Sequence, residues 1–212
     1  MITTELQSAM RWGATLETAD AAMLLLHGRG GSAADMRGFS GSFPMPGYAF
    51  VAPEAPGQTW YPFPFTAPLE RNEPHLSRAL DRIRTLLGEI NQAGIPSSRI
   101  MLLGFSQGAC LALEFAARQL DCCAVAVGLS GGLIGPPGQT RETTTRQAEM
   151  TVFLGCGDRD PHIPVERVEE TAAFFKAAGA TVEKRIYPGM SHLINHDEVQ
   201  EIKRLMASLP PK

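Results

Sequence analysis

The sequence predicts an α/β fold in which a mostly parallel central sheet carries helices on both faces. Short apolar runs ended by turn residues alternate with segments of helical periodicity, an order typical of parallel sheets. The strand candidates are mostly apolar along their length, as expected of strands covered on both faces. In addition, one strand candidate leads through a Gly-x-Ser-x-Gly sequence directly into a helix candidate.

Apolar periodicity and turn residues locate the individual elements. A first strand is expected within residues 8–18, with its register left open. Further strands are expected at 21–26, 48–51, 99–103, 122–129, 150–156 and 181–186, and helices at 74–92, 107–119, 164–179 and 196–208. Asn72 is a candidate cap for the first of these helices, and Gly94 is its stop signal.

In two of the helices, the spacing of the apolar residues also predicts which charged residues face solvent. In the helix at 107–119, Glu114 and Arg118 are one turn apart and are expected on its single solvent-facing side. In the final helix, the residues expected to be buried are Val199, Ile202, Leu205 and Met206, and those expected to face solvent are Glu198, Glu201, Lys203 and Arg204.

The composition is that of an ordinary globular protein and favours one domain over residues 1–212. Hydrophobic residues make up 44% of the chain and charged residues 19%, both in the usual range. A net charge of −3 without Lys or Arg runs argues against nucleic-acid or anionic-membrane partners. No signal-peptide pattern or apolar run of about 18 residues occurs, so a cytoplasmic protein without a membrane span is expected.

The cysteines give no indication of a metal site. Cys110, Cys122, Cys123 and Cys156 lack metal-ligand spacing and are interpreted as buried free thiols. Neither a metal nor a cofactor is therefore predicted. The oligomeric state is left open, with a homodimer as one option.

The sequence Gly104-Phe-Ser-Gln-Gly108 identifies Ser106 as the candidate nucleophile. A serine on a tight strand-to-helix turn is held in strained geometry with its hydroxyl exposed above the sheet, and flanking glycines let strand and helix pass closely. The N-terminus of the following helix favours a developing negative charge. This context separates a nucleophile elbow from a chance match.

A second Gly-x-Ser-x-Gly sequence, Gly128-Leu-Ser-Gly-Gly132, provides an internal comparison. It also follows an apolar run, but the residues after it are rich in glycine and proline and cannot open a helix. Ser130 is therefore interpreted as a strand end that borders the site.

A serine nucleophile needs a base and an acid that orients the base, in the chain order serine, acid, histidine. Among the downstream histidines, His192 is favoured because it lies in a loop between the last strand and the last helix. His162 is too near the candidate acid, and His196 is expected on the surface of the final helix. Asp160 is favoured as the acid, with Asp158 as an alternative that is more typical of a turn residue.

Two backbone N–H groups are expected to stabilise an oxyanion. One belongs to Gln107, directly after the nucleophile, and the other to Arg29 in the glycine-rich sequence that follows an early strand. His27, in the same loop, is interpreted as a structural hydrogen-bonding residue.

The loops at 53–73 and 131–149 lack periodicity, follow strand ends and are expected to wall the site. The first contains Trp60, Phe63 and Phe65, which either line an acyl groove or pin the loop to the core. Leu133 is a further candidate for substrate contact. The Arg29 side chain either meets an anionic group of the substrate or is an ordinary exposed arginine.

Four segments together resemble the phospholipase/carboxylesterase family of small α/β-hydrolases, which includes the acyl-protein thioesterases and is close to the dienelactone hydrolases. They are Leu26-His-Gly-Arg-Gly-Gly31, Gly104-Phe-Ser-Gln-Gly108, Gly157-Asp-Arg-Asp-Pro-His-Ile-Pro164 and Pro188-Gly-Met-Ser-His192. The resemblance covers residues 20 to 208. It implies an α/β-hydrolase fold without a lid domain, Ser106, Asp160 and His192 as the triad, and backbone donors from Arg29 and Gln107.

The chain also departs from these relatives. Dienelactone hydrolases use cysteine at the elbow, where this chain has Ser106, and acyl-protein thioesterases usually carry another residue in place of Arg29. The favoured hypothesis is a serine carboxylesterase that hydrolyses small-molecule esters of short to medium acyl chain. The alternatives are an acyl-protein thioesterase or lysophospholipase and, from another class, a non-catalytic receptor on a hydrolase scaffold.

Overall fold

The computed structural model describes residues 9–139, 141 and 149–209. Its centre is a seven-stranded sheet with the order β1-β3-β2-β4-β5-β6-β7. The strands are β1 (Ala9–Gly13), β2 (Ala21–Leu26), β3 (Tyr48–Pro53), β4 (Ile100–Phe105), β5 (Val125–Leu129), β6 (Thr151–Gly157) and β7 (Thr181–Tyr187). Only β1 runs antiparallel to its neighbour, so the predicted mostly parallel sheet is confirmed.

Within the described residues, five α-helices cover the two faces of this sheet. They are α1 (Ala33–Ser40), α2 (His75–Gln92), α3 (Gln107–Arg118), α4 (Val165–Ala177) and α5 (His196–Ser208). Alternate strand residues point to opposite faces, and the core divides accordingly. The apolar residues of α2, α3 and α4 pack with one set of strand residues, and those of α1 and α5 with the other.

Helix α1 is an element that the periodicity analysis did not predict. Its start is nevertheless encoded locally, because Ser32 and Asp35 form a capping box in which each side chain accepts from the other's backbone N–H. Asn72, predicted to cap α2, does not do so. Its buried side chain accepts from Phe63 N and donates to Pro64 O, so it holds the preceding loop instead.

The strand predicted at 122–129 begins three residues later, at Val125. Cys122 lies in a turn, where its N–H donates to the carbonyl of Gln119, and pairing with β4 starts only beyond Cys123. All four cysteines are buried and none forms a disulfide. Within the described ranges, no helix combines the length and apolarity needed to cross a membrane.

Three acidic residues predicted to face solvent are buried instead. Glu114 on α3 and Glu198 on α5 are 0% exposed, and Glu201 is 3% exposed. Glu114 binds Arg118 and Arg141, and Glu201 binds Arg185, so both carboxylates are paired. The predicted exposure of Glu114 and Glu201 was wrong because arginines from other elements, or from the next turn of the helix, cover the carboxylates. Helical periodicity gives no information about such partners.

Glu198 differs from the other two because half of its carboxyl group lacks a partner. Oε2 accepts from Asn195 N at 2.8 Å as part of the α5 capping box, whereas Oε1 has no hydrogen-bond partner among the described residues. Oε1 also lies against β6, 2.1 Å from where a Cβ on Gly155 would be. Burial raises the pKa of Glu198 to about 7, and the nearby Asp197 charge adds to this effect.

The raised pKa predicts a stability that falls with pH. Because the folded protein holds this proton more tightly than the unfolded chain, the contribution is complete below about pH 4.5 and is lost as pH rises through about 7. We expect wild type to lose about 1–3 kcal/mol more unfolding free energy than Glu198→Gln between pH 5 and pH 8, measured by urea denaturation. The matched control is Glu166→Gln, at an exposed residue in the first turn of α4, which should keep the wild-type slope. Equal slopes for Glu198→Gln and wild type would contradict the prediction.

Candidate active site

Ser106 lies at the junction of β4 and α3 with a strained backbone. Its φ of 55° and ψ of −120° place a non-glycine residue outside the usual regions, and its N–H donates to Leu129 O at 2.9 Å. The following residue, Gln107, begins α3. This strand, strained turn and helix have the geometry expected of a nucleophile elbow.

Two glycines allow the close packing that this turn requires. A Cβ on Gly104 would lie 2.2 Å from the carbonyl oxygen of Gly108, and one on Gly108 would lie 2.2 Å from the carbonyl oxygen of Leu26. No side chain fits at such distances from backbone atoms. The start of α3 therefore packs directly on the ends of β4 and β2.

The structure brings Ser106, His192 and Asp160 into one hydrogen-bonded series. Nε2 of His192 is 2.8 Å from Oγ of Ser106, and Nδ1 is 2.7 Å from Oδ2 of Asp160. A carboxylate only accepts, so Nδ1–H donates to Asp160 and Nε2 is left to accept the serine proton. The side chain of His192 is 18% exposed and that of Asp160 is 0% exposed, so the series leads from the surface inward.

The Asp160 carboxylate is held by several donors besides His192. Its Oδ1 accepts from the backbone N–H groups of His162 at 2.8 Å and Ile163 at 3.1 Å. Burial acts to raise the pKa of Asp160, but the hydrogen bonds and charge of His192 and these two N–H groups outweigh it and lower the pKa. Asp160 therefore remains ionised at neutral pH.

Asp158, the alternative acid, has a different partner. Its Oδ1 accepts from Gly189 N at 2.6 Å, in the loop that carries His192. The two loops also touch at Gly157, where a Cβ would be 2.0 Å from Met190 O. Asp158 thus ties the histidine loop to the end of β6, which the sequence analysis did not anticipate.

The remaining candidates for nucleophile and base lie outside the series. Ser130 is 1% exposed, and its N–H donates to Gly155 O at the end of β5. His162 packs edge-on against the His192 ring at 4.9 Å, and His196 lies exposed in the first turn of α5. These positions agree with the sequence interpretation of Ser130 and His196.

The glycine-rich loop after β2 passes next to Ser106. A Cβ on Gly28 would lie 3.2 Å from Cβ of Ser106. Gln107 is the first residue of α3, where the backbone N–H has no acceptor within its own helix. No backbone carbonyl among the described residues accepts from the Arg29 N–H. His27 is structural, as predicted, because its ring contacts Gly28 O at 2.8 Å and accepts from Ala55 N at 3.1 Å.

A profile of the phospholipase/carboxylesterase family matches residues 14–209 of the chain. The chain belongs to this family. It is 35% identical to a phospholipase/carboxylesterase from Dyadobacter fermentans, whose structure superposes with a TM-score of 0.87 over 95% of this chain and 96% of that one. A carboxylesterase from Bacillus cereus, 18% identical, shares the fold with a TM-score of 0.73 over 95% of this chain and 94% of its own. The predicted α/β-hydrolase fold is thereby confirmed.

A curated relative carries a narrower name. Acyl-protein thioesterase 1 from Gibberella zeae is 32% identical over 123 residues, which are 57% of this chain and 52% of that protein. The chain spans about half the length of three of the curated relatives it matches. The comparisons therefore establish a hydrolase family of the esterase and thioesterase type.

In this family member the aromatic residues of the loop at 53–73 mainly brace the loop. Trp60 is 3% exposed, and its indole N–H donates to His27 O at 2.8 Å. Of the two roles considered for Trp60, this contact is the one that pins the loop, and contact of Trp60 with substrate stays a prediction. Phe65 and Leu133 are also buried, and their contact with substrate stays a prediction. Phe63 is 37% exposed and lies under the guanidinium of Arg71 at 4.2 Å.

The second loop is anchored by two buried side chains. Glu114 accepts from Ile134 N at 3.1 Å, and Arg167 donates to Leu133 O and Gly135 O at 2.9 and 2.8 Å. Gly135 N also donates to Phe65 O at 2.7 Å, so the two loops meet. Residues 140 and 142–148 of the predicted loop lie outside the described residues. Among those described, no group of three or more His, Cys, Asp or Glu side chains forms a metal site.

The Arg29 side chain has a role that the sequence analysis missed. Its guanidinium donates to Tyr61 O at 2.8 Å, Pro62 O at 3.1 Å and Phe63 O at 3.3 Å. The side chain is exposed, as one of the two expectations had it, and in addition it is engaged by three carbonyls. The only local signal was that Arg29 is the one non-glycine residue between Gly28 and Gly31.

Proposed function

We propose that this protein is a serine carboxylesterase that hydrolyses small-molecule carboxylic esters of short to medium acyl chain through an acyl-enzyme. The observation that supports the proposal is the unbroken hydrogen-bonded series from Ser106 through His192 to Asp160 at a strained strand-to-helix turn. Such a series is the arrangement that a serine nucleophile needs.

In the proposed mechanism the Ser106 hydroxyl attacks the ester carbonyl while Nε2 of His192 takes its proton. The Asp160 carboxylate holds Nδ1–H and stabilises the imidazolium that forms. The proton then passes from Nε2 to the leaving alkoxide, and an acyl group remains on Ser106. A water molecule, deprotonated by the same Nε2, hydrolyses the acyl-enzyme and restores the hydroxyl.

We assign stabilisation of the negative charge on the tetrahedral intermediates to the backbone N–H groups of Gln107 and Arg29. The support for this assignment is that the first N–H opens α3 beside the nucleophile and the second lies in the loop that passes Ser106. Both donors are fixed parts of the backbone, so they need little reorganisation when charge develops.

The preference for small, short to medium esters rests on the loops. No insertion of lid length interrupts the strand and helix order, so the cleft is expected to be open to water. The alternative is an acyl-protein thioesterase or lysophospholipase, which the similarity to acyl-protein thioesterase 1 from Gibberella zeae favours. The two candidates share the mechanism and differ in acyl length and leaving group.

Labelling and a substrate series test the proposal. A fluorophosphonate probe should label wild type on Ser106, and kcat/KM should be highest for p-nitrophenyl esters of two to about eight carbons. Higher kcat/KM for palmitoyl thioesters or lysophospholipids would replace the carboxylesterase by the alternative. Absence of labelling together with absence of hydrolysis would favour a non-catalytic receptor.

A further inference from the structure

The two proposed oxyanion donors belong to residues whose side chains converge on one carbonyl oxygen. Nη2 of Arg29 and Nε2 of Gln107 each donate to Tyr61 O, both at 2.8 Å. Oγ1 of Thr59 also donates to this oxygen, at the longer distance of 3.2 Å, so the bonds from Arg29 and Gln107 are its two shortest. The two residues are 78 positions apart in the chain, yet they are joined through this one atom.

Further hydrogen bonds connect residues 58–63, here called the 58–63 segment, to the parts of the chain that carry the two donors. Gly30 N donates to Gln58 O at 2.8 Å, and Oε1 of Gln107 accepts from Trp60 N at 2.9 Å. Trp60 in turn is anchored on His27 O. The segment therefore contacts His27 and Gly30, which lie before and after Arg29 in the chain. It also contacts Gln107, which follows the proposed nucleophile.

The loop that carries the Arg29 N–H is held on either side of Arg29, where Gly28 approaches Ser106 and the N–H groups of Gly30 and Gly31 donate to Gln58 O and Gly28 O. Gly28, Gly30 and Gly31 surround Arg29, and Gly30 has a φ of +76°. A Cβ on Gly30 would meet no described atom within 4 Å, so packing does not brace the loop there. Because glycines give this backbone more conformational freedom than other residues would, a further tie at Arg29 adds to the contacts of its neighbours in fixing the N–H donor.

We propose that the Arg29 guanidinium is a positioning group that fixes the Arg29 backbone N–H relative to that of Gln107 through the carbonyl of Tyr61. The inference rests on the proposed function, because it concerns the oxyanion donors of that site. The guanidinium touches no reacting atom. Its effect is to keep both N–H groups directed at one point before charge develops, which is the condition for electrostatic stabilisation of a transition state.

The test is the variant Arg29→Met, which keeps the length of the side chain and removes its donors. We expect kcat for p-nitrophenyl butyrate to fall about 10- to 100-fold while KM changes less than about threefold. Butylboronic acid forms a tetrahedral adduct with a serine hydroxyl, and its Ki should rise by about the factor by which kcat/KM falls. Arg29→Lys, which keeps one point donor, should lose about 3- to 10-fold in kcat.

The matched control is Arg71→Met. Arg71 is an exposed arginine that stacks on Phe63 of the same segment and is not bonded to Tyr61 O. In this variant kcat, KM and the boronate Ki should therefore each stay within about twofold of wild type. Melting temperatures check that each variant is folded. If Arg29→Met does not fold, Arg29→Lys decides, since a reduced kcat at unchanged KM supports the proposal and a wild-type kcat overturns it.

The outcomes separate this inference from the proposed function. If wild type is labelled by a fluorophosphonate and Arg29→Met keeps the wild-type kcat and boronate Ki, the positioning role is wrong and the esterase proposal stands. A raised KM at constant kcat would also overturn it, because the arginine would then act in substrate binding. If wild type is neither labelled nor inhibited by boronate, both proposals fail together.

Discussion

Ser106→Ala is expected to lower kcat for p-nitrophenyl esters by about 10⁴- to 10⁶-fold. The methyl group cannot form the acyl-enzyme, and the remaining rate would come from water held near His192 and the oxyanion donors. KM should change little, because the hydroxyl is small and contributes more to the reaction than to ground-state binding. The measurement is steady-state kinetics on protein freed of contaminating esterase, with fluorophosphonate labelling as a second readout.

The chain supplies a close control for this substitution in its second Gly-x-Ser-x-Gly sequence. Ser130 is also a serine with positive φ at a strand end, but its hydroxyl lies buried and outside the series that joins His192 to Asp160. Ser130→Ala should therefore keep kcat within about threefold of wild type. Turnover retained by Ser106→Ala, or lost to the same degree in Ser130→Ala, would refute the assignment of the nucleophile.

Asp160→Asn is expected to lower kcat by about 10³- to 10⁴-fold without unfolding the protein. An amide in this position donates a hydrogen bond to Nδ1 of His192, so the imidazole carries its own proton on Nε2 and cannot accept that of Ser106. The bonds from the N–H groups of His162 and Ile163 can be kept by the amide oxygen, so the local backbone should hold. The loss should therefore appear in kcat and not in the melting temperature.

Asp158→Asn is the matched comparison, two residues away on the same loop. Its carboxylate accepts from Gly189 N, and an amide oxygen can accept the same bond, so kcat should stay within about fivefold of wild type. A severe loss in Asp158→Asn with near-normal turnover in Asp160→Asn would exchange their roles. Because the pKa of Asp160 is lowered, this carboxyl group should stay ionised at pH 5 and above. A fall in kcat on the acid side of the pH profile in that range should therefore not result from its protonation.

Much of the architecture followed from local patterns. The strands and helices are built from runs of residues whose period and end signals are readable in a short window, and their order implies a parallel sheet. The strained turn at Ser106 could also be predicted from a short stretch, because the strand, the serine, its flanking glycines and the helix are contiguous in the chain. The positions of His192 and Asp160 followed because parallel strands end at one edge of a sheet.

Errors occurred where a charged side chain is satisfied by a distant segment. Glu114 was expected on a solvated face because its own helix shows it next to Arg118, but Arg141 and the backbone of Ile134 enclose it. Glu201 was expected to face solvent, but it is buried and pairs with Arg185 of β7. In each case the deciding partner is tens of residues away or on another element.

By itself, the sequence determined the order of the strands and of every helix but α1, the position of the strained turn at Ser106 and the loops that carry Asp160 and His192. Only the tertiary structure decided which acidic residues are buried and that the side chains of Arg29 and Gln107 meet at Tyr61 O. Periodicity and turn signals depend on backbone preferences within one segment. The burial of a charge or the convergence of two donors depends on which segments the sheet brings together, and that information is not contained in any single stretch of the chain.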